Sequence, residues 1–173
     1  MPDTPFSVLF LCTGNSARSI LAEALMNYWG RGRFRAYSAG SHPAGRVNPL
    51  ALTTLQQMGI PVGTPRSKSW DELCAVNGAA AVRLDLVITV CDNAASEICP
   101  VWPGQPLTAH WGVPDPASVE GSDADKRRAF RRAFEILHVR IRRLAELPVR
   151  KLGMEELRKS VREIGALTAG EVA

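Results

Sequence analysis

A cysteine, an arginine and a serine stand close together near the start of the chain, in an order that suits nucleophilic chemistry on an anion. The segment reads Cys12-Thr-Gly-Asn-Ser-Ala-Arg-Ser19, so five residues separate Cys12 from Arg18. A thiolate is a strong nucleophile, and a guanidinium presents a planar fork of donors that matches two oxygens of a tetrahedral oxyanion. A hydroxyl at Ser19 can stabilise the thiolate. The spacing predicts that Cys12 attacks an oxyanion held by Arg18.

The elements on either side of this segment would shape it into a cradle for an anion. An apolar, β-branched run at residues 7–13 predicts a buried strand, and apolar residues at helical spacing up to Gly30 predict a helix that begins at residues 17–19. Backbone N–H groups and the helix dipole of such a unit point into one concavity, which should lower the pKa of Cys12. We expect the oxyanion to be bound by Thr13, Gly14, Asn15, Ser16, Ala17, Arg18 and Ser19.

Strands and helices alternate along the rest of the chain. Strands are predicted at residues 34–38, 84–91 and 107–111, and helices at about 48–58 and 122–147. Such alternation is typical of a parallel sheet covered by helices. We therefore predict an α/β fold: a four-stranded parallel sheet in flavodoxin-like order with helices on both faces, and ligand binding at the carboxyl ends of the strands.

One compact catalytic unit accounts for most of the chain. Its 173 residues are enough for a single hydrophobic core. The prediction assigns residues 1–147 to a catalytic domain. An amphipathic pattern at residues 154–167, set off by Pro148 and Gly153, predicts a helical C-terminal extension at residues 148–173.

Composition and charge exclude several classes of protein. The net charge is +4, but the basic residues at 126–143 alternate with apolar ones at helical spacing, which indicates a solvated helix face and no nucleic-acid partner. No apolar run near the start approaches the roughly 20 residues of a membrane span, and no basic leader precedes one, so we expect a cytoplasmic protein without membrane association. The four cysteines then indicate thiol chemistry, and no ligand spacing suggests a metal.

Together with the strand Val8-Leu-Phe-Leu, the segment Cys12 to Ser19 resembles the signature of low-molecular-weight tyrosine phosphatases and their arsenate reductase relatives. Three further stretches match, namely Tyr37-Ser-Ala-Gly40, Val47-Asn-Pro49 and Asp115-Pro116, so the resemblance spans roughly residues 6–145. It implies a phosphatase-like fold for residues 1–147. It also implies that Asp115 is the general acid, protonating the oxygen that leaves as Cys12 attacks.

Two features favour the reductase branch of this resemblance. The stretch Asp115-Pro-Ala-Ser-Val-Glu-Gly121 lacks the aromatic residues that hold a phosphotyrosine ring in the phosphatases. The stretch from Cys91 to Cys99 resembles the redox segment of thioredoxin-linked arsenate reductases. The resemblance implies that arsenate is reduced to arsenite, with Cys91 attacking Cys12 and Cys99 then attacking Cys91. On one regular helix these last two cysteines would lie ~12 Å apart, so the segment must refold.

Alternatives remain for the electron donor and for the activity. Seven residues separate Cys91 from Cys99, one more than in the pattern that it resembles, so glutathione with glutaredoxin is an alternative to thioredoxin as external thiol reductant. A phosphate-monoester hydrolase would use Cys12, Arg18 and Asp115 alone. A non-enzymatic arsenite-binding protein would use the thiolates of Cys12, Cys91 and Cys99. The sequence assigns no chemical role to His110-Trp-Gly112.

Overall fold

A parallel sheet forms the centre of the fold. The computed structural model describes residues 4–74, 82–97, 102 and 104–168. The strands are β1 (Phe6–Cys12), β2 (Phe34–Gly40), β3 (Leu86–Thr89) and β4 (Leu107–His110), in the order β2-β1-β3-β4. All neighbouring strands are parallel. The predicted α/β fold with flavodoxin-like strand order is confirmed, although β3 and β4 are shorter than predicted.

The helices begin and end close to the positions that the sequence predicts. They are α1 (Arg18–Gly30), α2 (Pro49–Gln57), α3 (Asp92–Ser96), α4 (Asp123–Glu146) and α5 (Met154–Ile164). The side chain of Asn48 accepts a hydrogen bond from the backbone of Leu50, and Ser122 and Asp125 form a capping box before α4. These local caps explain why the starts of α2 and α4 can be read from the sequence.

Each face of the sheet has its own apolar core, because side chains alternate along each strand. Val8 and Phe10 of β1 belong to the core that also contains the buried residues of α1, α4 and α5. Leu9 and Leu11 of β1 point to the opposite face, where they belong to a smaller cluster with Trp102 and other residues. A 3-10 helix at Trp70–Glu72 lies beside that second cluster. The carboxyl ends of the strands, which carry the candidate site, are thereby held from both sides.

The last helix shares the core of the sheet. Leu157, Val161 and Ile164 of α5 are buried in the same cluster as α1 and α4. The indole N–H of Trp111 donates to the carbonyl oxygen of Val161 at 2.9 Å, and the buried Arg140 donates to the carbonyl of Leu167 at 3.0 Å. Residues 148–168 therefore pack closely on the segment that follows β4. Within the part of the chain that is described, no helix is long and apolar enough to cross a membrane.

Candidate active site

The loop between β1 and α1, residues 13–17, is held by backbone hydrogen bonds from the segment that follows β2. The carbonyls of Thr13, Gly14 and Ser16 accept hydrogen bonds of 2.9 Å from the N–H groups of His42, Ala44 and Asn48, respectively. Within a trans peptide unit the N–H and the carbonyl point in opposite directions. Because the loop carbonyls point toward the segment that follows β2, the N–H groups of the same peptide units point away from that segment. The N–H of Gly14 donates to the Cys12 sulfur. The loop thus has the form of the predicted anion cradle.

Asn15 fixes the shape of this loop from the inside. It is fully buried and has a φ of 46°, in the left-handed region that asparagine tolerates. Its amide donates to the Ser19 hydroxyl oxygen at 2.8 Å, and its oxygen accepts from the backbone N–H of Lys68 at 2.9 Å. The amide of Asn15 thus fixes the position of the Ser19 hydroxyl. The contact between Lys68 and Asn15 was not predicted from the sequence, because it uses the backbone N–H of Lys68 and does not depend on the type of residue at that position.

Gly40, the last residue of β2, stands directly against the loop. A Cβ at this position would overlap the carbonyl oxygen of Thr13 and lie 3.1 Å from atoms of Asn15. Only a glycine fits there, which explains the glycine of the Tyr37-Ser-Ala-Gly40 stretch. The stretch signalled a match to the family pattern, but its packing role against the loop was not predicted.

Arg18 and Asp115 meet at the mouth of the loop. Arg18 donates from Nη1 to the carbonyl oxygen of Val113 at 2.9 Å, and its Nη2 lies 3.7 Å from a carboxylate oxygen of Asp115. The Arg18 side chain is 13% exposed and that of Asp115 is 40% exposed. The buried Nε of Arg18 has no hydrogen-bond partner among the described residues. A buried donor of this kind requires an acceptor, and an oxygen of a bound oxyanion would supply one.

A second thiol lies beside Cys12, and the two share a hydrogen bond. This hydrogen bond from Cys12 lowers the pKa of Cys91 to about 5, helped by the Thr13 hydroxyl and by the N–H groups of Ala94 and Thr13. The same hydrogen bond, together with burial, raises the pKa of Cys12 against the influence of Arg18 and the N–H of Gly14. The pair therefore loses its first proton readily and its second with difficulty. The sequence predicted a lowered pKa for Cys12 alone, because the local motif contains no sign of the neighbouring thiol with which Cys12 shares a proton.

Cys91 also caps the short helix α3. Its sulfur accepts a hydrogen bond from the N–H of Ala94 at 3.4 Å and lies 3.6 Å from the hydroxyl of Thr13, which also donates to the carboxylate of Glu97 at 3.4 Å. The helix ends at Ser96. Cys99 lies outside the described residues, so its place in the relay stays a prediction.

The fold thus brings Cys12, Arg18, Asp115 and Cys91 together, with the predicted oxyanion-binding residues around them. Two of the hydrogen bonds at the site join residues that lie far apart in the chain. Thr13 and Cys91 are separated by 78 positions, and Arg18 and Val113 by 95. The described cysteines Cys12, Cys74 and Cys91 are all free thiols. The arrangement can bind a tetrahedral oxyanion, attack it with sulfur and bring a second sulfur to the first.

Comparisons with known proteins agree with this geometry. The family model described as low molecular weight phosphotyrosine protein phosphatase matches residues 7–163. The arsenate reductase of Halalkalibacterium halodurans is 37% identical over 143 residues, which are 80% of this chain and 94% of that protein.

Two solved structures extend the comparison. The arsenate reductase of Archaeoglobus fulgidus superposes with a TM-score of 0.61 and 29% identity, covering 81% of this chain and 99% of that one. A thioredoxin-dependent arsenate reductase of Corynebacterium glutamicum gives a TM-score of 0.59 and 25% identity, covering 83% of this chain and 62% of that one.

Proposed function

The chain belongs to the low-molecular-weight phosphotyrosine protein phosphatase family, and we propose that within this family it reduces arsenate to arsenite. The observation that carries the proposal is the Cys91 thiol, hydrogen bonded to the Cys12 thiol at the oxyanion loop. Hydrolysis of a phosphate ester needs one nucleophilic thiol. Reduction of As(V) to As(III) needs two electrons, which two thiols supply when they form a disulfide.

In the first step, arsenate binds to the loop N–H groups and to the guanidinium of Arg18. The proton of Cys12 passes to Cys91 along their hydrogen bond, which leaves a Cys12 thiolate facing the arsenic. The thiolate forms a sulfur–arsenic bond while one arsenic–oxygen bond breaks, and Asp115 gives its proton to the departing oxygen, which leaves as water. Arg18 lies within 3.7 Å of Asp115, so clamp and acid act on the same anion.

In the second step, Cys91 attacks the sulfur of Cys12. A sulfur–sulfur bond forms, the sulfur–arsenic bond breaks with its electron pair remaining on arsenic, and the proton of Cys91 goes to an oxygen of the departing arsenite. Cys99 then attacks Cys91, which releases the Cys12 thiolate and leaves a Cys91–Cys99 disulfide. This disulfide is reduced by an external dithiol. The thiols of the chain carry both electrons.

We propose thioredoxin as that external reductant, since the Corynebacterium glutamicum relative is thioredoxin-dependent. Glutathione with glutaredoxin is the alternative, and it would resolve the Cys12–Cys91 disulfide without Cys99. We further propose that the reaction serves arsenic detoxification in the cytoplasm.

The test is arsenate-dependent oxidation of NADPH by the purified protein, measured separately with thioredoxin plus its reductase and with glutathione plus glutaredoxin. We expect turnover with thioredoxin in the parent, and none in Cys91→Ser or Cys99→Ser. Cys74→Ser is the matched control, because Cys74 lies in the apolar cluster on the other face of the sheet, and it should retain turnover.

The other outcomes each have a defined meaning. Activity of Cys99→Ser with glutaredoxin but not thioredoxin would assign the resolving step to glutathione. Hydrolysis of an aryl phosphate without any arsenate turnover would refute the proposal in favour of a phosphate-monoester hydrolase. Tight arsenite binding without turnover would refute it in favour of an arsenite-binding protein.

A further inference from the structure

His110, the last residue of β4, links the ends of two strands to the start of α3. Its Nδ1 lies 2.7 Å from the hydroxyl of Thr89, the last residue of β3. Its Nε2 lies 2.8 Å from a carboxylate oxygen of Asp92, the first residue of α3. Asp92 directly follows Cys91 in the chain. The imidazole thus joins the sheet to the helix that the second thiol caps.

The hydrogen bonds of this imidazole are complete in either charge state. A neutral ring donates from Nε2 to Asp92 and accepts the Thr89 hydroxyl proton at Nδ1. A protonated ring donates from both nitrogens, and the Thr89 hydroxyl can then donate to the carbonyl oxygen of Ala109, which lies at 3.4 Å. Asp92 therefore keeps its donor whether or not the ring is charged.

The glycine two residues further on leaves room for this contact. A Cβ at Gly112 would lie 3.1 Å from the Oδ1 of Asp92 and 3.1 Å from the Nε2 of His110. Such distances are tighter than ordinary van der Waals contacts, so a side chain at this position would press on both partners. The stretch His110-Trp-Gly112 thus supplies both the imidazole and the space for its carboxylate partner.

Helix α3 needs an external anchor because it is short. It has five residues, far fewer than the roughly 12 at which an isolated helix becomes marginally stable. Burial holds Cys91 and Ala94, but the side chain of Asp92 is 92% exposed and gains nothing from packing. Among the described residues the imidazole is the one side chain that contacts Asp92, at the start of the turn in which the Ala94 N–H contacts the Cys91 sulfur.

We infer that His110 is a positioning residue for the second thiol: by holding Asp92, it fixes the first turn of α3 and keeps the Cys91 sulfur against Cys12. The inference rests on the proposed function in taking Cys91 as the thiol that attacks Cys12. Among the described residues no hydrogen bond joins the His110 ring to Cys12 or Cys91, so His110 acts on the thiol through Asp92.

Alkylation of the full-length protein tests the inference without any turnover. Cys91 is 2% exposed, so iodoacetamide reaches its sulfur only when the first turn of α3 opens. We expect Asp92→Ala and His110→Ala each to accelerate alkylation of Cys91 by about fivefold or more, the equivalent of one lost hydrogen bond. Peptide mass spectrometry should show alkylation of Cys12 unchanged within about twofold.

Three further variants sharpen this experiment. His110→Gln should restore slow alkylation of Cys91, since its amide can donate to Asp92 from a position near Nε2. The double variant Asp92→Ala/His110→Ala should be no faster than either single variant, because both remove one contact. Asp123→Ala is the matched control: this aspartate is also exposed and also opens a helix, α4, but lies away from the two thiols. Because Asp92 is exposed, its replacement leaves the core intact.

Equal alkylation rates of Cys91 in parent, Asp92→Ala and His110→Ala would overturn the inference, as would a parallel rise at Cys12, which would indicate general loosening. In arsenate reduction we expect kcat to fall by about fivefold or more in both variants while KM for arsenate stays within about twofold. A rise in KM with unchanged kcat would also overturn it. If the parent reduces no arsenate with either donor, the proposed function fails, and the alkylation rates still decide the role of His110.

Discussion

Gly40 faces the carbonyl oxygen of Thr13 with no space for a side chain between them. Gly40 ends β2 and Thr13 directly follows β1, whose last residue, Cys12, pairs with Gly40 in the register of the two strands. The end of β2 is thereby packed directly under the oxyanion loop. The oxyanion loop can therefore adopt this shape only because Gly40 has no side chain.

Gly40→Ala should weaken oxyanion binding and lower stability together. The added methyl group must displace the Thr13 carbonyl or the backbone of Asn15, at a cost of roughly 1–3 kcal/mol in the free energy of unfolding. The displaced loop should bind arsenate or phosphate at least about tenfold more weakly. Calorimetry and urea unfolding measure the two effects. Gly153→Ala is the control, since a Cβ there meets nothing within 4 Å. Unchanged anion affinity in Gly40→Ala would contradict the packing described here.

Asp115→Asn should slow the reaction without disturbing the fold. The side chain of Asp115 accepts a hydrogen bond from the N–H of Ala117 at 3.0 Å, and an asparagine oxygen can accept it equally well. An amide cannot protonate the leaving oxygen, so we expect kcat to fall by about 10²–10⁴-fold while oxyanion affinity is retained. Steady-state kinetics and phosphate binding provide the measurement. Asp123→Asn, at the exposed start of α4, should behave as the parent. Full activity of Asp115→Asn would exclude the aspartate as the acid.

The cysteine pair should give a distinctive titration. The pKa of Cys91 is lowered from 9.0 to about 5 and that of Cys12 is raised, in each case mainly through their mutual hydrogen bond. Ultraviolet absorbance of the folded protein should show one thiolate appearing near pH 5. In Cys91→Ser this titration should disappear, and the pKa of Cys12 should fall below its value in the parent. Cys74→Ser should leave the titration near pH 5 intact, because burial raises the pKa of Cys74.

The same pKa values give stability a dependence on pH. Between pH 5 and 9 the unfolded chain holds a proton on Cys91 that the folded protein has lost, so the contribution of Cys91 to stability rises with pH over this range. Above pH 9.0 the unfolded chain loses the proton of Cys12 that the folded protein retains, so the contribution of Cys12 to stability falls with further increase in pH. The difference in unfolding free energy between parent and Cys91→Ser should therefore increase from pH 5 to 9. A difference independent of pH would contradict the lowered pKa.

Ending the chain after Leu147 should destabilise the protein severely. The truncation uncovers the core that Leu157, Val161 and Ile164 fill, and it removes the carbonyl partner of Trp111. Loss of three buried aliphatic side chains should cost roughly 5 kcal/mol, a large part of the stability of a typical domain. Urea unfolding measures it, with Trp111→Phe as a milder variant that loses the hydrogen bond to Val161 and part of one buried ring system. Unchanged stability of residues 1–147 would show that residues 148–173 form the separate extension that the sequence suggested.

The residues near one another in the chain were correctly interpreted from the sequence. The apolar run before Cys12 and the helical periodicity after Arg18 predicted a strand, a loop and a helix, because hydrophobic periodicity and capping are local properties. The alternation of strands and helices then predicted the parallel sheet covered by helices. The signature from Cys12 to Ser19 indicated oxyanion chemistry because all its groups belong to one short segment.

The tertiary structure decided the contacts that join distant segments. Only the register of β1, β2 and β3 places Gly40 under Thr13 and Cys91 beside Cys12, and the shift of the thiol pKa values follows from that proximity. Only the pairing of β3 with β4 brings His110 beside Thr89 and within reach of Asp92. Residue type and spacing contain no information on register, because the same apolar strands could pair in shifted positions. The chain therefore specified its nucleophile locally, whereas packing of the sheet determined which thiol the nucleophile meets.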